Sequence, residues 1–254
     1  MNQKTVKKYA SLKYAKYREE HGLFLAEGNH VVDSLITSEY EIESIITSDK
    51  KTIESLKKND RNVDIEFVGR QVIDRIATTS TPQEVLAVVR IPEMRGFEPA
   101  TLHRIVVADG IKDPGNMGTI IRTAAAFGFD MVITTTDSVD IYNPKVVRST
   151  QGALFQIKTV PGLKSEFFLR ELKASHTIYS LSARGDSEID RVKPAGKSTL
   201  VIGSEIDGVS ETILENSDFR LKIPQRGVVD SLNAAVAAGI VMFIFSRKSK
   251  LDLS

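Results

Sequence analysis

Three glycine-containing loops in the second half of the chain carry the side chains best suited to chemistry. The first, residues 109–118, contains the turn signal Pro114-Gly115 and leads into a predicted helix. Arg122 follows Gly118 by four residues, which puts both on one face of that helix. The carboxamide of Asn116, main-chain N–H groups and this guanidinium could therefore converge on one anion or ribose. The alternative is an ordinary helix entry with a surface arginine.

The second and third loops follow apolar segments that are typical of buried strands. Gly203 comes directly after residues 199–202, where an adenine-like ring could approach the main chain, and Glu205 can accept hydrogen bonds. In the third loop, Ser231 is the predicted helix N-cap and Asn233 lies in the first helical turn. The alternatives are a turn with a capping acid for the second loop and a tightly buried core helix after the third.

Several classes of protein are excluded by what the sequence lacks. Neither G-x-G-x-x-G nor G-x-x-x-x-G-K-[ST] occurs, so the dinucleotide fingerprint and the P-loop are both missing. There is no cysteine, and the four histidines lie far apart, so we expect no metal site. The longest apolar run, 234–245, is shorter than the roughly 18 residues that span a bilayer. We therefore expect a buried helix there, no membrane association and a cytoplasmic protein.

Hydrophobic periodicity divides the chain into two α/β segments. Prolines and glycine around residues 91–99 indicate a linker, so we predict domains at 1–95 and 104–254 with a linker at 96–103. The first domain is predicted to contain helices over 29–37 and 72–77 and strands over 42–47, 63–68 and 85–91. The second is predicted to contain strands over 104–108, 131–135, 153–160, 177–181, 199–202 and 219–223, and helices over 118–127, 165–174, 210–216 and 232–245. This alternation predicts a parallel sheet covered on both faces, with ligands bound beyond the carboxyl ends of its strands.

The net charge of +1 conceals a basic N-terminus. Residues 1–18, which we call the basic arm, hold five lysines and Arg18 but no acid, together with Tyr9, Tyr14 and Tyr17. Cations that meet phosphates and rings that stack on bases suit RNA. Deleting this arm is then expected to weaken RNA binding and its salt dependence. The alternative is a solvated helix whose tyrosines pack on the protein body.

Taken together and in order, the three loops resemble a known family. The patterns D-P-G-N-x-G-x-x-x-R-T-A, G-x-E-x-x-G and I-P-x-x-G-x-x-x-S-L-N-x-x-x-A resemble the three motifs of the SpoU/TrmH family of the SPOUT methyltransferase class, over residues 104–247. The upstream segment to Arg90 resembles that family's substrate-binding domain. The sequence departs from the family pattern at Ile206, Gln225 and Ala234.

The resemblance implies methyl transfer from S-adenosylmethionine to a ribose 2′-hydroxyl of structured RNA, with 23S-type ribosomal RNA as the expected substrate. It implies a small N-terminal α/β substrate-binding domain, a C-terminal SPOUT parallel-sheet domain with a trefoil knot, and a homodimer through the C-terminal domain. The residues implied around the reacting ribose are Asn116, Arg122, Glu205, Ser231 and Asn233. The main chain of Gly203, Ile223 and Leu232 is implied to hold the donor. The alternatives are a transfer-RNA 2′-O-methyltransferase and a non-catalytic RNA-binding protein of the same fold.

Overall fold

The structure, a computed structural model, describes residues 1–56, 61, 63–93, 98–225, 227 and 232–248. The helices are α1 (Gln3–Ser11), α2 (Ala15–His21), α3 (Asn29–Ile36), α4 (Lys50–Leu56), α5 (Arg70–Ile76), α6 (Pro114–Ala126), α7 (Pro144–Ser149), α8 (Ser165–Lys173), α9 (Glu211–Glu215) and α10 (Ala234–Lys248). The strands are β1 (Leu23–Glu27), β2 (Ile42–Thr47), β3 (Ile65–Phe67), β4 (Val85–Arg90), β5 (Arg104–Asp109), β6 (Met131–Thr135), β7 (Lys158–Leu163), β8 (Thr177–Leu181), β9 (Ser187–Glu188), β10 (Ser198–Gly203) and β11 (Phe219–Lys222).

The chain forms two compact units. The first consists of Met1–Glu93 together with Asp140–Gln156, and the second consists of Met94–Val139 together with Ile157–Ser254. The first unit is therefore built from two separate stretches of sequence, a feature that the sequence analysis did not predict. None of the helices in the described part of the chain is long and apolar enough to cross a membrane.

The first unit is built on a four-stranded mixed sheet in the order β1-β4-β2-β3. Strand β4 runs antiparallel to both β1 and β2, whereas β3 is parallel to β2. Helix α1 contributes Val6, Tyr9 and Leu12 to the hydrophobic core on one side of this sheet. Burial raises the pKa of the Tyr9 hydroxyl and withdraws that ring from solvent. The prediction that Tyr9 is free to stack on RNA is therefore wrong.

Arg18 is also unavailable to RNA, contrary to the prediction for the basic arm. Its side chain is 2% exposed, and Nε donates to Asp140 Oδ2 at 2.9 Å. Nη1 donates to the main-chain carbonyls of Leu12 at 2.9 Å and Lys13 at 3.1 Å. The Arg18 guanidinium therefore has a structural role, because it joins α2 to Asp140 in the second stretch of this unit.

The predicted strand over 153–160 is wrong in its first half. Ala153–Phe155 forms a short 3-10 turn, and the strand begins only at Lys158. Phe155 packs against Phe24 and Tyr40, with ring centroids 6.4 and 5.1 Å apart, and Tyr142 lies 4.7 Å from Phe24. The apolar run over 153–160 therefore belongs to two elements. Its beginning forms a 3-10 turn because Phe155 packs against aromatic residues of the first unit, and only its end forms a strand.

The second unit contains seven parallel strands in the order β7-β6-β5-β10-β8-β11-β9. The central pair, β5 and β10, is almost fully buried, as a sheet covered on both faces requires. Helix α6 begins at Pro114, four residues before the predicted start, because the Asp113 side chain caps it by accepting from the Asn116 amide at 2.8 Å. This earlier start places Asn116 in the first turn of α6.

Candidate active site

The candidate site lies at the carboxyl ends of the two central strands of the second unit. Strands β5 and β10 run parallel, and their last paired residues are Asp109 and Gly203. The chain leaves β5 toward α6, which carries Asn116, and leaves β10 into the loop that carries Glu205. The two loops are therefore neighbours although they are far apart in the sequence. This is the placement that the strand pattern predicted.

Asn116, Glu205 and Asn233, one from each of the three predicted loops, form one hydrogen-bonded cluster that we call the polar triplet. Glu205 Oε1 accepts from Asn116 Nδ2 at 2.6 Å and from Asn233 Nδ2 at 2.8 Å. Asn233 Nδ2 also donates to Asn116 Oδ1 at 3.0 Å. The structure thus brings together three of the five side chains that the family motifs single out.

Asn233 also begins helix α10. Its Oδ1 accepts from the amides of Ala235 at 3.0 Å and Val236 at 3.2 Å, while Glu205 Oε1 accepts from the Ala234 amide at 3.2 Å. Asn233 is therefore the N-cap of α10 as the described residues show it. Ser231, the predicted N-cap, lies outside the described residues.

The hydrogen bonds within the triplet leave two polar groups free to bind a ligand. Asn233 Nδ2 uses both of its donors on Asn116 and Glu205, whereas Asn116 Nδ2 makes one hydrogen bond and retains a second N–H. Glu205 Oε2 makes no hydrogen bond with another described residue. One donor and one acceptor are the two partners that a hydroxyl group requires.

Arg122 stands apart from the triplet's hydrogen bonds. It lies on α6 between the half-buried Thr123 and the buried Ile121, and its own side chain is exposed. Within the described parts of the chain, its guanidinium forms neither a hydrogen bond nor an ion pair. No structural contact therefore accounts for this charge, and it is available to an anionic ligand.

Gly203 is required for a different reason from the one the sequence suggested. A Cβ at this position would lie 2.1–2.2 Å from main-chain atoms of Gly208 and Val209. The loop closes on itself there, since Ser204 and Gly208 exchange main-chain hydrogen bonds of 3.2 and 3.0 Å. The closed loop alone therefore explains why residue 203 is glycine, and the approach of an adenine-like ring stays a prediction. At the tip of the same loop, Ile206 is 94% exposed.

The main chain near the third loop offers hydrogen-bonding groups of the kind that a donor nucleoside needs. Ile223 directly follows β11 and Leu232 precedes α10. Neither residue's N–H or C=O pairs with the main chain or side chain of another described residue. The described residues are thus compatible with a pocket that reads an adenine edge, although part of the loop lies outside them.

The sequence analysis missed Asp109, which fixes the second loop. Asp109 is 6% exposed, and its Oδ2 accepts from the Ser210 amide at 2.7 Å. This contact fastens the end of the Glu205 loop to the end of β5. The available signal was a carboxylate at the end of an otherwise apolar strand, because buried charges require partners.

Comparison with known proteins places this geometry in a family. The profile of the SpoU rRNA Methylase family matches residues 103–243, and that of the MRM3-like substrate binding domain matches residues 3–87. The 23S rRNA (guanosine(2553)-2′-O)-methyltransferase RlmP of Bacillus subtilis is 33% identical over 244 residues, which are 95% of each chain.

Two solved structures share the fold over nearly the whole chain. The AdoMet-bound rRNA methyltransferase of Sinorhizobium meliloti is 28% identical with a TM-score of 0.84, covering 96% of this chain and 95% of that one. The SpoU methyltransferase AviRb of Streptomyces viridochromogenes, in complex with AdoMet, is 24% identical with a TM-score of 0.88, covering 97% and 98%.

These matches define an α/β protein of the SPOUT methyltransferase class. The chain belongs to the SpoU rRNA methylase family. The family resemblance and the fold class drawn from the three motifs are thereby confirmed, while the trefoil knot stays a prediction.

Proposed function

We propose that this protein transfers a methyl group from S-adenosylmethionine to a ribose 2′-hydroxyl of large-subunit ribosomal RNA. The observation that carries the proposal is the polar triplet, with its free Asn116 N–H and free Glu205 Oε2. A 2′-hydroxyl both donates and accepts, so these two groups suit it. The name of the Bacillus relative gives 2′-O-methylation of 23S rRNA, and that of the Sinorhizobium relative gives an AdoMet-bound rRNA methyltransferase. We propose that this protein acts in the cytoplasm.

The roles of the triplet follow from its geometry. Glu205 Oε2 accepts from the ribose hydroxyl and so directs the oxygen lone pairs away from the carboxylate. Asn116 donates to the same oxygen and fixes its position, which matters because reacting atoms must be held about 3–3.5 Å apart and in line. Asn233 holds both partners in place and anchors them to the start of α10.

Arg122 supplies the positive charge in this proposal. A guanidinium stays protonated in proteins and cannot act as the base. It suits two other tasks: clamping the phosphate next to the ribose, and stabilising negative charge as it develops on the 2′-oxygen. Its freedom from structural partners among the described residues supports such a role.

We assign the donor to main-chain groups of Gly203, Ile223 and Leu232. Among the described residues, the N–H and C=O groups of Ile223 and Leu232 have no hydrogen-bond partner, and they suit an adenine edge. When bound, S-adenosylmethionine would supply a methyl group on a positively charged sulfur. As the bond from the 2′-oxygen to the methyl carbon forms, the carbon–sulfur bond breaks, the sulfur leaves as a neutral thioether, and the hydroxyl proton passes to water or to the neighbouring phosphate. Ser231 remains a proposed site residue on the strength of its motif position alone.

In the described part of the chain, His, Asp and Glu form no cluster of three that could hold a metal ion.

The proposed function is tested by donor binding together with RNA methylation. Calorimetry is expected to show one S-adenosylmethionine per chain with the same affinity in the presence of a chelator, because main-chain groups require no cation. Ribose-methylation mapping of cellular RNA with and without the gene is expected to show one or more 2′-O-methyl groups lost from 23S-type RNA. Loss from transfer RNA instead would favour the alternative substrate. Unchanged methylation of all RNA would contradict the proposal.

The lysines of the basic arm are proposed to contact RNA phosphates. We expect substitution of Lys4, Lys7, Lys8, Lys13 and Lys16 by glutamine to weaken RNA binding, and each lost phosphate contact to reduce the log–log salt slope by about 0.7–0.9. We choose substitution and not deletion of the basic arm, because deletion would also remove residues that α1 contributes to the hydrophobic core. The measurement is RNA affinity across a salt series. The control is substitution of the exposed Lys164 and Lys193 by glutamine. An unchanged salt slope in the arm variant would mean that these lysines contact only solvent and not RNA.

The homodimer is proposed to form through α10 of the second unit. Val236 and Phe243 are 53% and 45% exposed and lie seven residues apart, on the same face of the helix, with Ile240 between them. Phe243 is supported by the Phe127 ring at 5.8 Å between centroids. An exposed apolar strip on one face of a helix is typical of obligate interfaces.

Glutamate at Phe243 is expected to convert the dimer to a monomer, because it would bury a charge without a partner. Light scattering at micromolar concentration measures the mass. Phe167→Glu is the control, because Phe167 is 47% exposed on α8 and lies outside the strip. A monomeric wild-type protein would contradict the proposal.

A further inference from the structure

We infer that three rings, one at the N-cap of α2 and two on the helix, bind unpaired bases of the RNA substrate, an inference that rests on the proposed function. Tyr14 at the N-cap, Tyr17 and His21, which we call the ring face, lie three and four residues apart and so lie along one side of the helix. The Tyr14 and Tyr17 centroids are 6.4 Å apart with the planes 61° apart. The Tyr17 and His21 centroids are 6.3 Å apart with the planes 20° apart. The rings thus form a continuous row.

The row is not needed to hold α2 in place. Helix α2 is held in place by Arg18, which is almost fully buried and bonded to Asp140. Tyr14 is 57% exposed, and neither its hydroxyl nor that of Tyr17 bonds to another described residue. Tyr14 is thus exposed and Tyr17 is half-buried, in contrast with Tyr9 of the same arm, which lies in the core.

Two cations complete the surface. Lys13 Nζ lies 5.2 Å from the centroid of the Tyr14 ring, and Lys16 Nζ lies 5.9 Å from that of Tyr17. Rings interleaved with cations are the arrangement by which proteins hold single-stranded nucleic acid, with bases stacked on the rings and phosphates near the ammonium groups. Glu19 and Glu20, exposed at the other end of α2, confine the positive charge to the Lys13–Lys16 end.

The chemistry favours unpaired RNA over a duplex. Bases within a duplex are stacked on each other and offer no free ring face, whereas loops and bulges can splay their bases onto aromatic side chains. A surface that only attracted phosphates would need the lysines and not the rings. The occupant we assign to the ring face is therefore a single-stranded loop or bulge of the substrate RNA.

The test compares two RNA ligands of equal length, one an unstructured single strand and one a blunt-ended duplex, by fluorescence anisotropy over a range of salt concentrations. Tyr14→Ala/Tyr17→Ala is expected to weaken binding of the unstructured oligonucleotide by about 5- to 100-fold for each base that loses its stacking ring. The salt slope is expected to stay unchanged because no cation is removed. Tyr14→Phe/Tyr17→Phe is expected to retain wild-type affinity, because phenylalanine keeps the stacking face.

Phe67→Ala is the matched control, since Phe67 is 52% exposed in the same unit and has Lys50 Nζ 5.9 Å from its centroid. It is expected to bind both oligonucleotides like the wild type. A melting curve for each variant confirms that α2 remains folded. The inference is overturned if the double alanine variant binds the unstructured oligonucleotide like the wild type, or if its affinity for the duplex falls by the same factor. Methylation by the wild-type protein tests the proposed function separately, so the two failures can be distinguished.

Discussion

Replacing Arg122 by alanine is expected to lower the single-turnover methylation rate by about 100- to 1000-fold, the usual cost of losing one donor aimed at developing charge. Donor affinity is expected to stay near the wild-type value. The reason is positional: Arg122 lies on α6, whereas the main-chain groups assigned to the donor come from β10 and the loops beside β11 and α10. Single-turnover kinetics, donor titration and a melting curve on the same preparation provide the measurement.

Lysine at position 122 is expected to restore little of this rate. A point charge cannot reproduce the planar, two-pronged contact of a guanidinium with a phosphate. Because Arg122 makes no hydrogen bond or ion pair with the rest of the described chain, the alanine variant is expected to melt like the wild type. Parallel losses of donor affinity and melting temperature would show that Arg122 is a structural residue of α6 instead.

The second large effect is expected on stability. Arg18→Met should destabilise the first unit by about 3 kcal/mol, because it leaves Asp140 and the carbonyls of Leu12 and Lys13 without their buried partner. The figure lies at the low end for broken buried pairs, since the Asp140 side chain is 37% exposed and retains some hydration.

Urea titration of the full chain measures this effect. Arg70→Met is the matched control, because Arg70 and Asp74 form an ion pair in the same unit with both side chains nearly half exposed. Such a surface pair contributes at most about 1 kcal/mol. Equal shifts in the two variants would mean that burial of Arg18 adds nothing to the stability of this unit.

Much of the fold follows from hydrophobic pattern alone. The predicted strands over 42–47, 131–135 and 177–181 coincide with β2, β6 and β8, because buried parallel strands are continuous apolar runs bounded by turn residues. The start of α6 was misplaced because a capping aspartate, and not an apolar residue, sets it. The run over 153–160 was misassigned because its aromatic residue packs against a part of the chain more than a hundred residues away.

The candidate site was predictable as far as its loops, and no further. Loops that follow parallel strands gather at one edge of the sheet. The strand pattern therefore predicts that Asn116, Glu205 and Asn233 lie close together. Their hydrogen bonds, and the choice of Asn233 as the N-cap, depend on where α10 begins to within two residues, which pattern cannot fix. Charge and aromatic content equally failed to separate the buried Arg18 and Tyr9 from the exposed residues of the basic arm.

The division of the first unit between two stretches of sequence has a consequence for its synthesis on the ribosome. Residues 1–93 can emerge and pair their four strands, yet Asp140, Tyr142 and Phe155 are still untranslated. At ordinary elongation speeds of about 5–20 residues per second, Asp140, Tyr142 and Phe155 arrive about 2–12 s later. During that interval Arg18 lacks its carboxylate partner, and the Phe24 ring lacks Tyr142 and Phe155. The unit therefore completes its core only after part of the second unit has been made, and a fragment ending near residue 93 would lack these partners permanently.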